Sequence, residues 1–60
     1  MSIGDAWDSM DSSTKNLVIE IYNRYLRTGS SDDLRYLREI FQRFGYSGAD
    51  ENELKRVLRR

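Results

Sequence analysis

"SDDLRYLREIFQRFGY", residues 31–46, decides the fold. Placed about 100° apart, Leu34, Leu37, Ile40, Phe41 and Phe44 fall within about 120° of one another, and Arg35, Arg38, Glu39, Gln42 and Arg43 take the other side. This is the pattern of an amphipathic helix over residues 31–44. Ser31 is its expected N-cap, and Asp32 and Asp33 stand where the helix dipole favours negative charge. At the other end Gly45 suits the left-handed residue that follows a helix, with Tyr46 placed to contact Phe41 in a Schellman arrangement.

Upstream, "RTGSSDD" at 27–33 is a break, and a second periodic stretch precedes it. With Leu17 as zero, Val18, Ile21, Tyr22 and Tyr25 project between about 0° and 140°, opposite Glu20, Asn23, Arg24 and Arg27. The spacing predicts a helix over 12–28, ended by Gly29 as a left-handed cap. Ile19 and Leu26 fall near about 200° and 180°, which widens the apolar stripe past what one neighbouring helix covers. Ile19 is therefore expected to be half exposed or used in a contact.

Before that helix, Ile3, Ala6, Trp7 and Met10 project onto the same face if the helix is continued backwards. Asp8, Ser9, Asp11, Ser12 and Ser13, however, are poor interior residues and good caps. The preferred reading is a short helical turn at 5–10 and a fresh start at Asp11 or Ser12, with Trp7 and Met10 folded over the core.

Downstream, "SGADENEL" at 47–54 offers a capping box from either Ser47 with Asp50 or Asp50 with Glu53. Leu54, Val57 and Leu58 are the apolar stripe of a helix over 50–59. A helix so short cannot persist alone in water, so it must dock on the others. The expected fold is all-α: a small three-helix bundle with a short N-terminal extension or extra helical turn, in a single domain over 1–60. Its expected core is Trp7, Met10, Leu17, Val18, Ile21, Tyr22, Tyr25, Leu34, Leu37, Ile40, Phe41, Phe44, Leu54, Val57 and Leu58.

The chain has 60 residues, so it forms one domain at most and buries only about 60% of the surface its unfolded form exposes. With no Cys, neither a disulfide nor a thiolate metal site reinforces it. Its longest aliphatic run, Leu17, Val18 and Ile19, is far below the roughly 20 residues of a membrane span. A soluble, cytoplasmic chain with no membrane partner is the expectation.

Absence of His and Cys removes the commonest general base, the commonest metal ligand and the strongest side-chain nucleophile. Ten carboxylates remain, but a perturbed pair needs a desolvated cleft that so short a chain barely closes. No enzymatic activity, cofactor or small-molecule substrate is expected. Asp50, Glu51 and Glu53, like Asp5, Asp8 and Asp11, lack the alternating ligands around a Gly that a calcium loop needs, and read as helix-start charges. The Gly of "RTGSSDD" leads into aspartates that repel a phosphate, so it reads as a turn.

The ten basic and ten acidic residues cancel, although Lys55, Arg56, Arg59 and Arg60 crowd the C-terminus. A helix-turn-helix reading of 41–58 puts Phe41 where a small residue is wanted, Glu51 where an apolar one is wanted, and acidic residues at the reading end. Nucleic-acid binding is disfavoured accordingly. "FQRFGYSGADENELKRVL", residues 41–58, also resembles the first two helices of a ubiquitin-associated domain; its third helix has no counterpart before the chain ends, and the family is not assigned.

Three readings of function follow. The first is a binding module that presents a helix face to another protein, or to a second copy through Ile19 and Leu26. The second is a designed or engineered scaffold with no evolved activity, which suits the lack of Pro, Cys and His and the cap at each helix start. The third is a nucleic-acid binder using Lys55, Arg56, Arg59 and Arg60. Tyr36 beside Arg35, near Arg38 and Arg43, is the patch that best combines a ring with guanidinium groups.

Overall fold

In the computed structural model, which describes residues 1–59, four helices are laid out in chain order: α1 (Ile3–Ser9), α2 (Ser12–Thr28), α3 (Ser31–Arg43) and α4 (Glu51–Leu58). The fold is all-α. The N-terminal segment is a complete helix rather than a turn, because Ser2 and Asp5 close a capping box: the Asp5 N–H donates to the Ser2 hydroxyl and the Ser2 N–H to the Asp5 carboxylate. It does not run on into α2. Met10 is extended, and the Asp11 carboxylate accepts from the Thr14 N–H at 2.9 Å, opening α2 afresh.

The ends of α2 and α3 follow from glycine. Gly29 takes φ 69° and its N–H donates to the Tyr25 carbonyl. Gly45 takes φ 91°, with Gly45 N–H to Gln42 and Tyr46 N–H to Phe41, the two bonds of a Schellman motif. The N-cap of α3 differs from expectation: it is Ser30, not Ser31, and its side chain makes no capping bond. The Thr28 hydroxyl instead accepts from the Ser30 N–H, fixing the turn from the α2 side. At α4, Asp50 caps the Glu53 N–H at 2.9 Å, and the Glu53 carboxylate turns away to accept from the Tyr46 hydroxyl.

Helices α2 and α3 form a hairpin, and α1 packs on α4 and α3. The shared core is Ala6, Met10, Val18, Ile21, Leu37, Ile40, Phe41, Ala49, Leu54 and Val57, with Ile3, Trp7, Tyr22, Leu34, Phe44, Tyr46 and Leu58 packed around it. Two expected core residues lie outside it: Leu17 is exposed, and Tyr25 is half-buried beside the core rather than within it. The buried arc of α2 is centred between Val18 and Ile21, which turns Leu17 towards solvent. Two small residues outside the expected core are fully buried: Ala6 on α1, and Ala49 in the loop before α4, where its carbonyl accepts from Arg38 Nε at 3.1 Å.

A second departure is polar. Arg24 projects opposite the α2 apolar stripe, yet its guanidinium grips the buried carboxylate of Asp33 with two bonds, 2.6 and 3.0 Å, across the hairpin. This geometry satisfies both carboxylate oxygens and locks α2 to α3 in one register. The hydrogen bond from Arg24 holds the Asp33 carboxyl below its usual range, and the bonds from Thr14 do the same for Asp11. Stability from such groups is complete above the unfolded carboxyl pKa and is lost as pH falls through the lower folded value.

Two tyrosines set the alkaline limit. Bonding to the Glu53 carboxylate, and then burial, push the Tyr46 hydroxyl above the usual phenol range; burial, with Glu51 beside it, does so for Tyr25. A raised acid contributes stability below the unfolded pKa and loses it as pH rises through the folded one. With no His to titrate between, the urea midpoint is expected to be flat from about pH 5 to pH 9, falling below about 4 and above about 10. A midpoint that slopes across the neutral range would contradict this account.

Candidate interaction surface

The outer face of α2 carries the largest group of exposed apolar side chains on one element. Ile19 is 42% exposed and Leu26 60%, and at about 100° per residue they share a meridian two turns apart. Half-buried Tyr22 lies between them, its ring 6.5 Å from that of Tyr25. One turn before Ile19, the Lys15 ammonium sits 5.5 Å from the centroid of the Trp7 ring, so that the N-terminal end of the stripe is a cation over an aromatic face supplied by α1. This contact was not legible in the sequence, since it depends on the turn at Met10 and Asp11.

Leaving an Ile or Leu exposed forgoes about 1.5–3 kcal/mol of burial relative to the core. The stripe is held in place, because Val18 and Ile21 on the same helix are buried in the core. It is bordered by Ser12, Asn16 and Asn23, all exposed and uncharged. Nothing along it resembles a catalytic constellation, and no group of three potential metal ligands occurs among the described residues.

The other residues singled out in the sequence do not form one site. Lys55 and Arg59 are exposed on one side of α4, whereas Arg56 turns towards α1 and lines an open groove of about 510 Å³ with Met1, Ile3, Tyr46, Glu53 and Val57. Arg60 lies outside the described residues. Tyr36 is exposed on the flank of α3 that also carries Asp33, near Arg24. Arg35 pairs loosely with Asp32 at 3.4 Å, both largely exposed, and Arg38 projects to the opposite flank to bind Ala49. The ring and the guanidinium groups therefore diverge. No protein-family model matches the chain, and no curated protein or solved structure is significantly similar to it.

No described helix is long and apolar enough to cross a membrane. Phe41 is fully buried, and residues 44–50 separate α3 from α4, well beyond the turn of about 3–4 residues in a helix-turn-helix.

Proposed function

We propose that this chain is a small non-enzymatic helical module whose work is protein contact, made by the outer face of α2. The observation that carries the reading is the exposed pair Ile19 and Leu26, aligned on one meridian of a helix whose other face is fixed in the core. Helix-in-groove recognition uses such a row, with anchors at spacings of about three, four and seven residues. The acidic start and basic finish of α4 fit the helix dipole, so Lys55, Arg56 and Arg59 have a sufficient role without nucleic acid.

The test needs no known partner. Random peptides displayed on phage are selected on the immobilised protein, and the binding site of each enriched peptide is mapped by amide chemical-shift changes. Peptides are expected to move the signals of Lys15, Ile19, Tyr22 and Leu26, and the variant Ile19→Lys should lose them while keeping its helical circular dichroism. Enrichment of peptides that map to the α1 and α4 groove or to Lys55 and Arg59 would refute the reading. A selection with no enriched peptide would refute it too and leave a scaffold without a contact surface.

A further inference from the structure

Glu53 and Arg56 stand three apart on α4, the spacing at which opposite charges pair along a helix, and yet they form no ion pair with each other. The Glu53 carboxylate is held instead by the Tyr46 hydroxyl, from the loop before the helix. Among the described residues the Arg56 guanidinium has no ion-pair partner, and it stands at the open groove between α1 and α4. We infer that this groove binds a small organic acid, an apolar body carrying one carboxylate, with Arg56 as its anchor.

Three elements build the walls. Ile3 on α1 is half-buried, Val57 on α4 is buried and forms the floor, and half-buried Tyr46 stands on the loop side. Met1 reaches across to that loop: its thioether lies against Gly45, 3.0 Å from where a Cβ would stand, so the glycine leaves room for it. The groove measures about 510 Å³, within the range of about 300–1,000 Å³ of small-molecule sites.

Charge decides the class of ligand. A guanidinium fork matches a carboxylate with two parallel hydrogen bonds, which makes a planar monoanion the natural head group. Glu53 in the same groove sets the limit, because one negative charge balances Arg56 whereas a dianion such as a phosphate ester would leave a charge facing Glu53. The Tyr46 hydroxyl is raised by its bond to Glu53 and opposed by Arg56, which places that cation near the Tyr46 end of the groove. Tyr46 thus keeps Glu53 off Arg56, and the cation stays available. Met1, Ile3 and Val57 supply apolar contact, so the remainder of the ligand is hydrocarbon.

Because the groove is open on one side, the acid is held weakly. A ligand of about a dozen non-hydrogen atoms then binds in the millimolar range. The site lies apart from the outer face of α2, and the two readings stand or fall separately.

The probe is 4-phenylbutyrate, titrated to about 10 mM into the isotope-labelled full chain at low salt, with 4-phenylbutyramide and 4-phenylbutylamine as neutral and cationic counterparts. Saturating amide shifts are expected at Ile3, Tyr46, Arg56 and Val57, with the amide bound about tenfold more weakly than the acid. Arg56→Gln should weaken the acid to the level of the amide, and Arg56→Lys, which keeps the charge but not the fork, should fall between. Both change an exposed side chain and should keep the wild-type circular dichroism. Glu53→Gln removes the competing charge while keeping an oxygen for Tyr46, and should tighten the acid by about two- to threefold. Equal binding of the three probes would reduce the groove to an apolar patch and overturn the inference. Preference for the amine would overturn it by making Glu53 the anchor. Markedly tighter binding of a peptide ending in the same phenyl and carboxyl groups would replace the small acid with a chain end. Shifts centred on Ile19 and Leu26, or none that saturate, would remove the site.

Discussion

Phe41→Ala is expected to leave the protein largely unfolded in water at room temperature. Phe41 is fully buried, the largest of the side chains in that state, and lies where α3 meets the rest of the core. Truncating a buried Phe costs about 3–5 kcal/mol, from the lost transfer of the ring and the cavity left behind. A core in a chain of this size rarely supplies more than about 3–5 kcal/mol in all, and without Cys no disulfide adds to it. The loss is of the same size as the whole. The Phe41 carbonyl, which accepts from Tyr46 in the Schellman motif, is unchanged by the substitution, so the effect is one of packing. Far-ultraviolet circular dichroism and the dispersion of the amide spectrum measure it. A Phe41→Leu control keeps most of the volume and should remain folded, at a cost of about 1.5 kcal/mol or less. A Phe41→Ala variant with a urea midpoint close to that of wild type would show that the α3 core is not packed as described.

Leu54→Ala is expected to be nearly as severe and to act first on a different part of the molecule. Leu54 is fully buried, and its loss costs about 2–5 kcal/mol. Helix α4 has eight residues and packs mainly on α1, so neither helix has much else to hold it. Hydrogen exchange should therefore accelerate in α1 and α4 by more than in the α2 and α3 hairpin, since local opening follows the least supported elements. Ala is at least as good a helix former as Leu, so a destabilisation cannot be assigned to propensity. Uniform acceleration across all four helices would mean that the bundle opens as one unit; no acceleration would mean that α4 is not docked through Leu54.

The two variants also separate what could be read along the chain from what could not. Helix α2 was legible in outline, because its start at Asp11 or Ser12 and its stop at Gly29 are set by neighbours within one turn. The same holds for Gly45 and Tyr46 after α3. Helix α1 was undercounted although its signal was present: Ser2 and Asp5 stand three apart, the spacing of the capping box they form. The exposed Ile19 and Leu26 were visible as an apolar stripe too wide for one neighbour. The stripe to which they belong gained Trp7 only from the fold, through Lys15.

Local chemistry, then, was determined by sequence alone: the helical stretches of α2, α3 and α4, the glycine stops of α2 and α3, the residues facing inward from α3, and a repertoire without His or Cys. Only the tertiary structure decided the rotation at which each helix meets its neighbour. Periodicity defines an apolar arc but not its centre, and a turn of a few tens of degrees exposes Leu17 to water and closes Val18 and Ile21 into the core. The same step decided Ala6 and Ala49, whose small side chains carry no strong hydrophobic signal and are buried because backbones approach closely there. It decided Arg24 and Asp33 as well, since a charge on a polar face becomes a clamp only when a second helix brings its counterpart within 3 Å.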